Sequence, residues 1–208
     1  MHWLSAYLPR RKRNGCESNI RNDAAKKSLY DITTFGEILI DFTWQGMNVE
    51  GQTLFAQNPG GAPANVAVAA AKLGSHTAFI GKAGNDMHGN FLKSVLEKEK
   101  VETKGMLLDD AYFTTLAFVN VGEDGERSFS FARKPGADTR IEKEEIDIEI
   151  LDRTQIFHAG SLSLTEQPAR NCMQFGVRKK KGALFPMIRI TERLFGKMKR
   201  QQRHRCAA

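Results

Sequence analysis

Gly60 and Gly61 stand side by side just ahead of a run of small residues, 64–73, and Asn65 falls in the first turn of that run. Glycines in such a place let a ligand approach the main chain, and the first N–H groups of a helix have no partner within it. Asn65 adds a neutral amide that both donates and accepts hydrogen bonds. The combination suits a ligand rich in hydroxyl groups. The same residues also fit a tight turn leading into a helix pressed against a sheet, and their spacing alone does not separate the two readings. Asp41 is the second candidate, a carboxylate leaving the apolar run 35–42. Ligands of open α/β sheets bind beyond the carboxyl ends of strands, where an aspartate could accept from two hydroxyls. A lone acid is also a common helix cap or surface ion-pair partner.

Other patterns are excluded by their spacing. Gly81-Lys82-Ala83 holds a Gly-Lys pair but lacks the spaced upstream glycine and the following Ser or Thr of a phosphate-binding P-loop. Residues 84–89, GNDMHG, do not form a G-x-G-x-x-G loop. His76, His88 and His158 share no helical ligand spacing, so each reads as structural and no metal site is expected.

The elements that must position these residues alternate in type. Residues 35–42 read as a buried strand, 58–63 as a turn cluster, and 64–73 as a helix with Gly74 as its C-cap. A second core strand is expected over 77–81 and an amphipathic helix over 87–100, with Phe91, Leu92, Val95 and Leu96 on one face. Strand, helix, strand, helix in this order predicts a parallel sheet flanked by helices. Segments 114–121 and 127–132, joined by 122–126, predict an antiparallel hairpin. A helix over 142–151, a strand over 155–160 and a helix over 166–181 complete the pattern.

The chain has 208 residues, 41% hydrophobic and 26% charged, which suffices for one globular domain with a core. No apolar run reaches the length of a membrane span, so a soluble protein with no membrane partner is expected. Cys16, Cys172 and Cys206 are odd in number and far apart, which argues against a disulfide framework and favours a reducing cytoplasm. The net charge of +7 is unevenly placed. Residues 1–30 carry seven Lys and Arg against two acids, 31–184 carry 17 against 21, and 185–208 carry seven against one. A nucleic-acid-binding domain would carry its basic stripe on the folded part, and here that part is acidic.

The order of segments resembles the PfkB, or ribokinase-like, family of carbohydrate kinases: GEILIDF, GGAPANVAVAAAKLG, FIGKAGNDMHG, a hairpin ending FARKPGAD, then FHAGSLSL. Gly60, Gly61, Pro63, Asn65, Ala67, Gly74 and Gly84 fall at the spacing of the family's first signature. The resemblance covers 31 to about 184, roughly half of a typical family member. It implies a ribokinase-like three-layer α/β/α sandwich with a small β-sheet lid, the hairpin forming the lid. It also implies phosphoryl transfer from ATP, with Mg²⁺, to a sugar hydroxymethyl group. By resemblance Asp41, Gly60, Gly61 and Asn65 hold sugar hydroxyls, while Phe118 and Arg133 on lid strands cover the sugar or meet its charge. FARKPGAD and FHAGSLSL are more like fructokinases than ribokinases or adenosine kinases, which tilts the substrate towards fructose. Family members often dimerise. The family's G-A-G-D segment, whose aspartate is the base, does not occur in this chain, so the resemblance assigns no catalytic residue and no nucleotide-binding residue here. The expectation is a kinase truncated after its first half and inactive alone, with a non-catalytic sugar-binding half-domain as the alternative.

Both ends depart from the pattern. Residues 1–30, with the basic cluster 10–13, have the composition of a disordered leader and lack the charge order of a signal peptide. Leu29 could mark a TTG initiation codon. After 184 the family expects a strand like I-S-Y-D-P-N-Y-R, whereas this chain reads FPMIRIT. Codons for the first, regrouped one nucleotide later, spell the second, and the same regrouping turns a family-like L-W-K-D-E into FGKMK at 195–199. Residues 185–208 are therefore expected to be an out-of-frame basic tail.

Overall fold

Gly36 divides the apolar run 35–42 between two sheets. It has φ +141°, and a Cβ there would lie 3.0 Å from Pro63 Cγ and 3.4 Å from the Gly160 nitrogen, so only glycine fits this pivot. The computed structural model describes residues 28–121, 127–160, 162, 167–169 and 172. Most of the expected leader 1–30, the hairpin turn 122–126, nearly all of the expected helix 166–181 and the tail 185–208 lie outside the described residues.

Before the pivot runs β1 (Tyr30–Phe35), and after it β2 (Leu39–Met47). The single strand expected over 35–42 is thus corrected to the ends of two strands. β1 lies in a parallel sheet with β4 (Thr77–Gly84), β5 (Met106–Asp109) and β8 (Thr154–Ala159), in the order β5-β4-β1-β8. All eight residues of β4 are buried, as a strand covered on both faces requires. Alternate side chains of β4 divide between two apolar clusters. Ala78 and Ile80 join Phe35, Ile141, Ile150, Leu151 and Phe157 on one face, while Phe79 and Ala83 join Ala64, Ala67, Leu92 and Leu96 on the other. The sheet is therefore the middle of three layers.

One outer layer is built by α1 (Ala62–Lys72) and α2 (Met87–Lys98). Helix α1 ends in a Schellman turn: Gly74, at φ +92°, donates to the Ala71 carbonyl, and Ser75 donates to that of Ala70. The cap residue is Leu73, so Gly74 sits one position beyond its expected place. The other outer layer contains residues 141–151. The helix expected over 142–151 is instead a 3₁₀ turn (Lys143–Glu145) and a short α3 (Ile148–Asp152). Asp147 separates them because its side chain accepts from the Glu149 N–H and so starts α3 afresh.

The second sheet has the order β3-β2-β6-β7, adding β3 (Thr53–Gly60), β6 (Leu116–Val121) and β7 (Arg127–Ala132). The expected hairpin is the antiparallel β6–β7 pair, but the lid is twice as wide as that hairpin. β2 joins it parallel to β6 and antiparallel to β3, which takes up Asn58, Pro59 and Gly60 of the expected turn cluster. Among the described residues, no helix is long and apolar enough to cross a membrane.

Candidate sugar-binding site

Asp41 is the third residue of β2, not the end of a core strand. The ladder places it between Asn58 of β3 and Ala117 of β6. With side chains alternating along a strand, Leu39, Asp41 and Thr43 share one face of the lid, and Ile40 and Phe42 the other. The Asp41 carboxylate is half-buried, and none of the described residues donates a hydrogen bond to it or pairs with it. Burial raises its pKa above the ordinary carboxylate value. Asn58 does not satisfy it, because its amide donates to the Asp41 carbonyl, to Thr43 Oγ1 and to the Ala56 carbonyl.

Gly60 faces the carboxylate directly. A Cβ on Gly60 would collide with Asp41 Oδ2 and lie 2.9 Å from its Cγ. Gly61, at φ +108°, is the N-cap of α1 and has no side chain with which to cap the first N–H groups of the helix. A Cβ there would lie 3.0 Å from the Ile38 Cα. The Asn65 side chain is exposed and makes no hydrogen bond with a described residue. Asn65 and Gly60 border a cavity of about 140 Å³ between α1, α2 and β3, otherwise walled mainly by apolar residues such as Ile38, Val68 and Leu92. Asp41 does not line it, so this cavity is a groove between elements and not the space above the carboxylate.

Two expected site residues lie elsewhere. Phe118 pairs with Phe42, one residue out of phase with Asp41 and Ala117, which puts it on the opposite face of the lid. There it stacks on Phe42 at 5.3 Å and meets Phe55 edge-on at 5.8 Å. A residue on that face does not cover a ligand held by Asp41. Arg133 follows β7 and is held, part-buried, in a two-pronged ion pair with Asp138, Nη2 to Oδ2 at 2.6 Å and Nε to Oδ1 at 3.2 Å. Its charge is already met within the protein.

The aromatic residues that do share the face of Asp41 are Phe129 and Phe131, which pair with Val119 and Ala117 and stack at 6.3 Å. Alternation in Arg-Ser-Phe-Ser-Phe-Ala carried that signal, but the register against β6 was needed to use it. Glu37, 2% exposed, is a further carboxyl at this end of the fold; its Oε2 would lie 2.7 Å from a Cβ on Gly160, just past β8.

The residues around the site are tied by charge. Asp86 caps α2 by accepting from the His88 and Gly89 N–H groups, and it also accepts from the N–H and hydroxyl of Thr114. Burial pushes its carboxyl up, but these bonds outweigh that and leave its pKa below the ordinary value. Lys82, of the Gly-Lys pair, is 5% exposed and bonds Glu145 at 2.6 Å, Asp109 at 3.1 Å and the Arg140 carbonyl at 3.2 Å. Burial would lower its pKa, yet the two carboxylates raise it. It is a buried structural cation and not part of a phosphate loop. Among the described residues, no group of three or more His, Cys, Asp or Glu side chains is placed to hold a metal ion.

Residues 30–199 match the pfkB family carbohydrate kinase, a match that runs past 184 into the basic tail. The fructokinase-2 of Zea mays is 42% identical over 154 residues, covering 73% of this chain and 46% of that protein. A crystal structure of fructokinase from Xylella fastidiosa superposes with a TM-score of 0.72 at 39% identity, covering 76% of this chain and 50% of the other. The same enzyme with bound ATP gives 0.71 at 38%, covering 76% and 51%. The chain spans about half the length of the curated relatives it matches.

Proposed function

The chain belongs to the pfkB family of carbohydrate kinases, and from that membership we propose that it carries the sugar-binding side of an ATP-dependent enzyme that phosphorylates fructose on a hydroxymethyl group. The observation that carries this reading is the Asp41 carboxylate, half-buried, without a donor among the described residues, and seated against the bare Cα of Gly60. A carboxylate so held lacks the donors it would have in water, and the hydroxyls of a sugar supply them. Gly60 and Gly61 let the ligand reach the main chain, and Asn65 offers a donor and an acceptor beside it. The names of the relatives, fructokinases from plants and bacteria, favour fructose as the sugar. The cysteine pattern, with Cys172 a buried free thiol, favours a reducing compartment, which we take to be the cytoplasm.

ATP supplies the phosphoryl group in this chemistry, and Mg²⁺ the charge that steadies it during transfer. The described residues do not fit that pair: Lys82 is committed to two carboxylates, and no acidic cluster could hold the metal. No step is therefore assigned to them, and no described residue is assigned as the base. The same observation favours a second reading, a sugar-binding half without turnover.

Titration calorimetry of the 208-residue chain with fructose, alongside an assay of ATP-dependent fructose phosphorylation, separates these readings. Saturable heat with turnover supports the kinase, and heat without turnover supports the binding half. A chain that gives neither heat nor turnover overturns both.

A further inference from the structure

The two strands of the lid hairpin meet the rest of the molecule at one buried carboxylate. β6 begins just after Thr115, and β7 ends just before Arg133. Thr115 Oγ1 donates to Asp138 Oδ1 at 2.6 Å, and Arg133 grips both oxygens of the same group. The Asp138 side chain is 1% exposed and that of Arg133 9%. Asp138 sits in a 3₁₀ turn (Ala137–Thr139) that is fixed from outside the lid, since the Ala137 N–H donates to the Phe113 carbonyl. Arg133 Nη2 also donates to the Leu162 carbonyl at 3.3 Å, beyond β8.

Gly136 makes this convergence possible. A Cβ on it would collide with Thr115 Oγ1 and lie 2.8 Å from Asp138 Oδ1 and 2.9 Å from Arg133 Cγ. Three groups therefore close over a position that only glycine can fill. Ion pairs on a surface fix little, but one buried this deeply has no water to fall back on when a partner is lost.

The latch reaches Asp41 by one further bond. The Thr115 carbonyl accepts from the Ile40 N–H at 3.1 Å, and Ile40 and Asp41 pair with Leu116 and Ala117 across the β2–β6 ladder. A shift of Thr115 thus moves the strand that carries the carboxylate. We infer that the Arg133–Asp138–Thr115 latch sets the position of Asp41 over Gly60, so that Arg133 and Asp138 act as positioning residues for sugar binding without touching the sugar. The role in binding rests on the reading of Asp41 as the sugar-holding carboxylate. The mechanical role of the latch does not.

The test uses the 208-residue chain with Asp138→Asn, Arg133→Lys and the milder Thr115→Val, which removes one hydroxyl and keeps its shape. Amide hydrogen exchange without sugar reads the mechanics. Loosening the latch should speed exchange in 39–43 and 116–119, and exchange of 77–84 by global unfolding with it, while small openings within 77–84 stay as in the unaltered chain. Calorimetry with fructose reads the consequence. Moving the carboxylate out of reach of its hydroxyl donors loses hydrogen bonds to a charged acceptor, which weakens binding by roughly ten- to a hundredfold. That loss is expected for Asp138→Asn, with a smaller one for Thr115→Val and partial rescue in Arg133→Lys, which keeps the charge and loses the fork. Small openings within 77–84 that quicken as much as exchange in the lid mean the latch is only general packing, and they overturn the inference. Lid exchange that quickens with unchanged fructose affinity overturns the positioning role. If the unaltered chain takes up no fructose, the sugar reading and the positioning role fall together, and the exchange contrast alone decides whether the latch holds the lid.

Discussion

Burial holds the Asp41 carboxyl above its ordinary pKa, so folding favours its protonated form. Ionised Asp41 therefore subtracts stability at pH values above that raised pKa, and the penalty is relieved as pH falls through it. Sugar binding works the other way, because hydroxyl donors prefer the ionised form and affinity should fall over the same pH range. Asp41→Asn separates the two effects. At neutral pH it should leave the sugar-free protein as stable as before or more so, measured by urea unfolding. It should weaken fructose binding by roughly ten- to a hundredfold, the loss of hydrogen bonds to a charged group worth about 1.5–3 kcal/mol. A variant less stable than the unaltered chain would mean that Asp41 has a structural partner. Gly60→Ala attacks the same contact from the other side. Its Cβ collides with Asp41 Oδ2, so a loss of about 1–3 kcal/mol in stability is expected together with weaker fructose binding. Equal fructose affinity in Gly60→Ala and the unaltered chain would show that the carboxylate has moved aside without consequence.

At the scale of elements, Asp86 joins a helix to the lid. Its four hydrogen bonds start α2 and hold Thr114, the residue before the latched Thr115. Asp86→Ala removes a cap and strands the Thr114 N–H, which should cost roughly 2–4 kcal/mol in urea unfolding. Because the folded pKa of Asp86 is depressed, its stabilisation is present above the ordinary carboxylate value and is lost as pH falls through the lower one. Asp86→Asn should accordingly flatten the acid limb of the stability curve, and an unchanged slope would refute this assignment. The alternation of elements was legible in the residues, as were α1, with its small residues and Gly74, and the hairpin of β6 and β7. Asp41 and Gly60 were brought together only by the family resemblance, and their contact in space was not legible in the residues. What stayed hidden depends on contacts distant in sequence. In the apolar run 35–42 the break at Gly36 was missed, because the residues that crowd the place of its Cβ, Pro63 and Gly160, are distant in sequence. β3 is almost wholly exposed and ends in Asn-Pro-Gly, so its membership of the lid comes from pairing with β2 alone. The misplacement of Phe118 has the same origin, since a one-residue change of register exchanges the faces of a strand. Arg133 looked like a free cation because Asp138, though only five residues away, becomes its partner through the turn at Gly136.

At the scale of the whole molecule, the two sheets differ in how firmly they are held. β4 is buried along its entire length, whereas seven of the eight residues of β3 are at least partly exposed and the outer part of β2 is open. Regions with few buried contacts open locally at free energies well below that of global unfolding. The lid should therefore exchange its amides faster than the core sheet when no sugar is present. Fructose held by Asp41, beside Gly60 and Gly61, would bridge β2, the end of β3 and the start of α1, and so would stabilise the part of the fold that opens most readily. A ligand at about 100 times its Kd adds about 2.7 kcal/mol to the stability of the form that binds it. If that form is the closed lid, fructose at this excess should slow exchange in 39–47 and 53–60 by roughly a hundredfold. Exchange in 77–84 by global unfolding should slow comparably, because unfolding also releases the sugar, but small openings within the core sheet should be unaffected. Asp41→Asn, at the same sugar concentration, should abolish the lid protection. Equal protection of the lid in Asp41→Asn would place the sugar away from this carboxylate. Protection confined to 77–84 would place it on the core sheet, and in either case the seat at Asp41 would have to be abandoned.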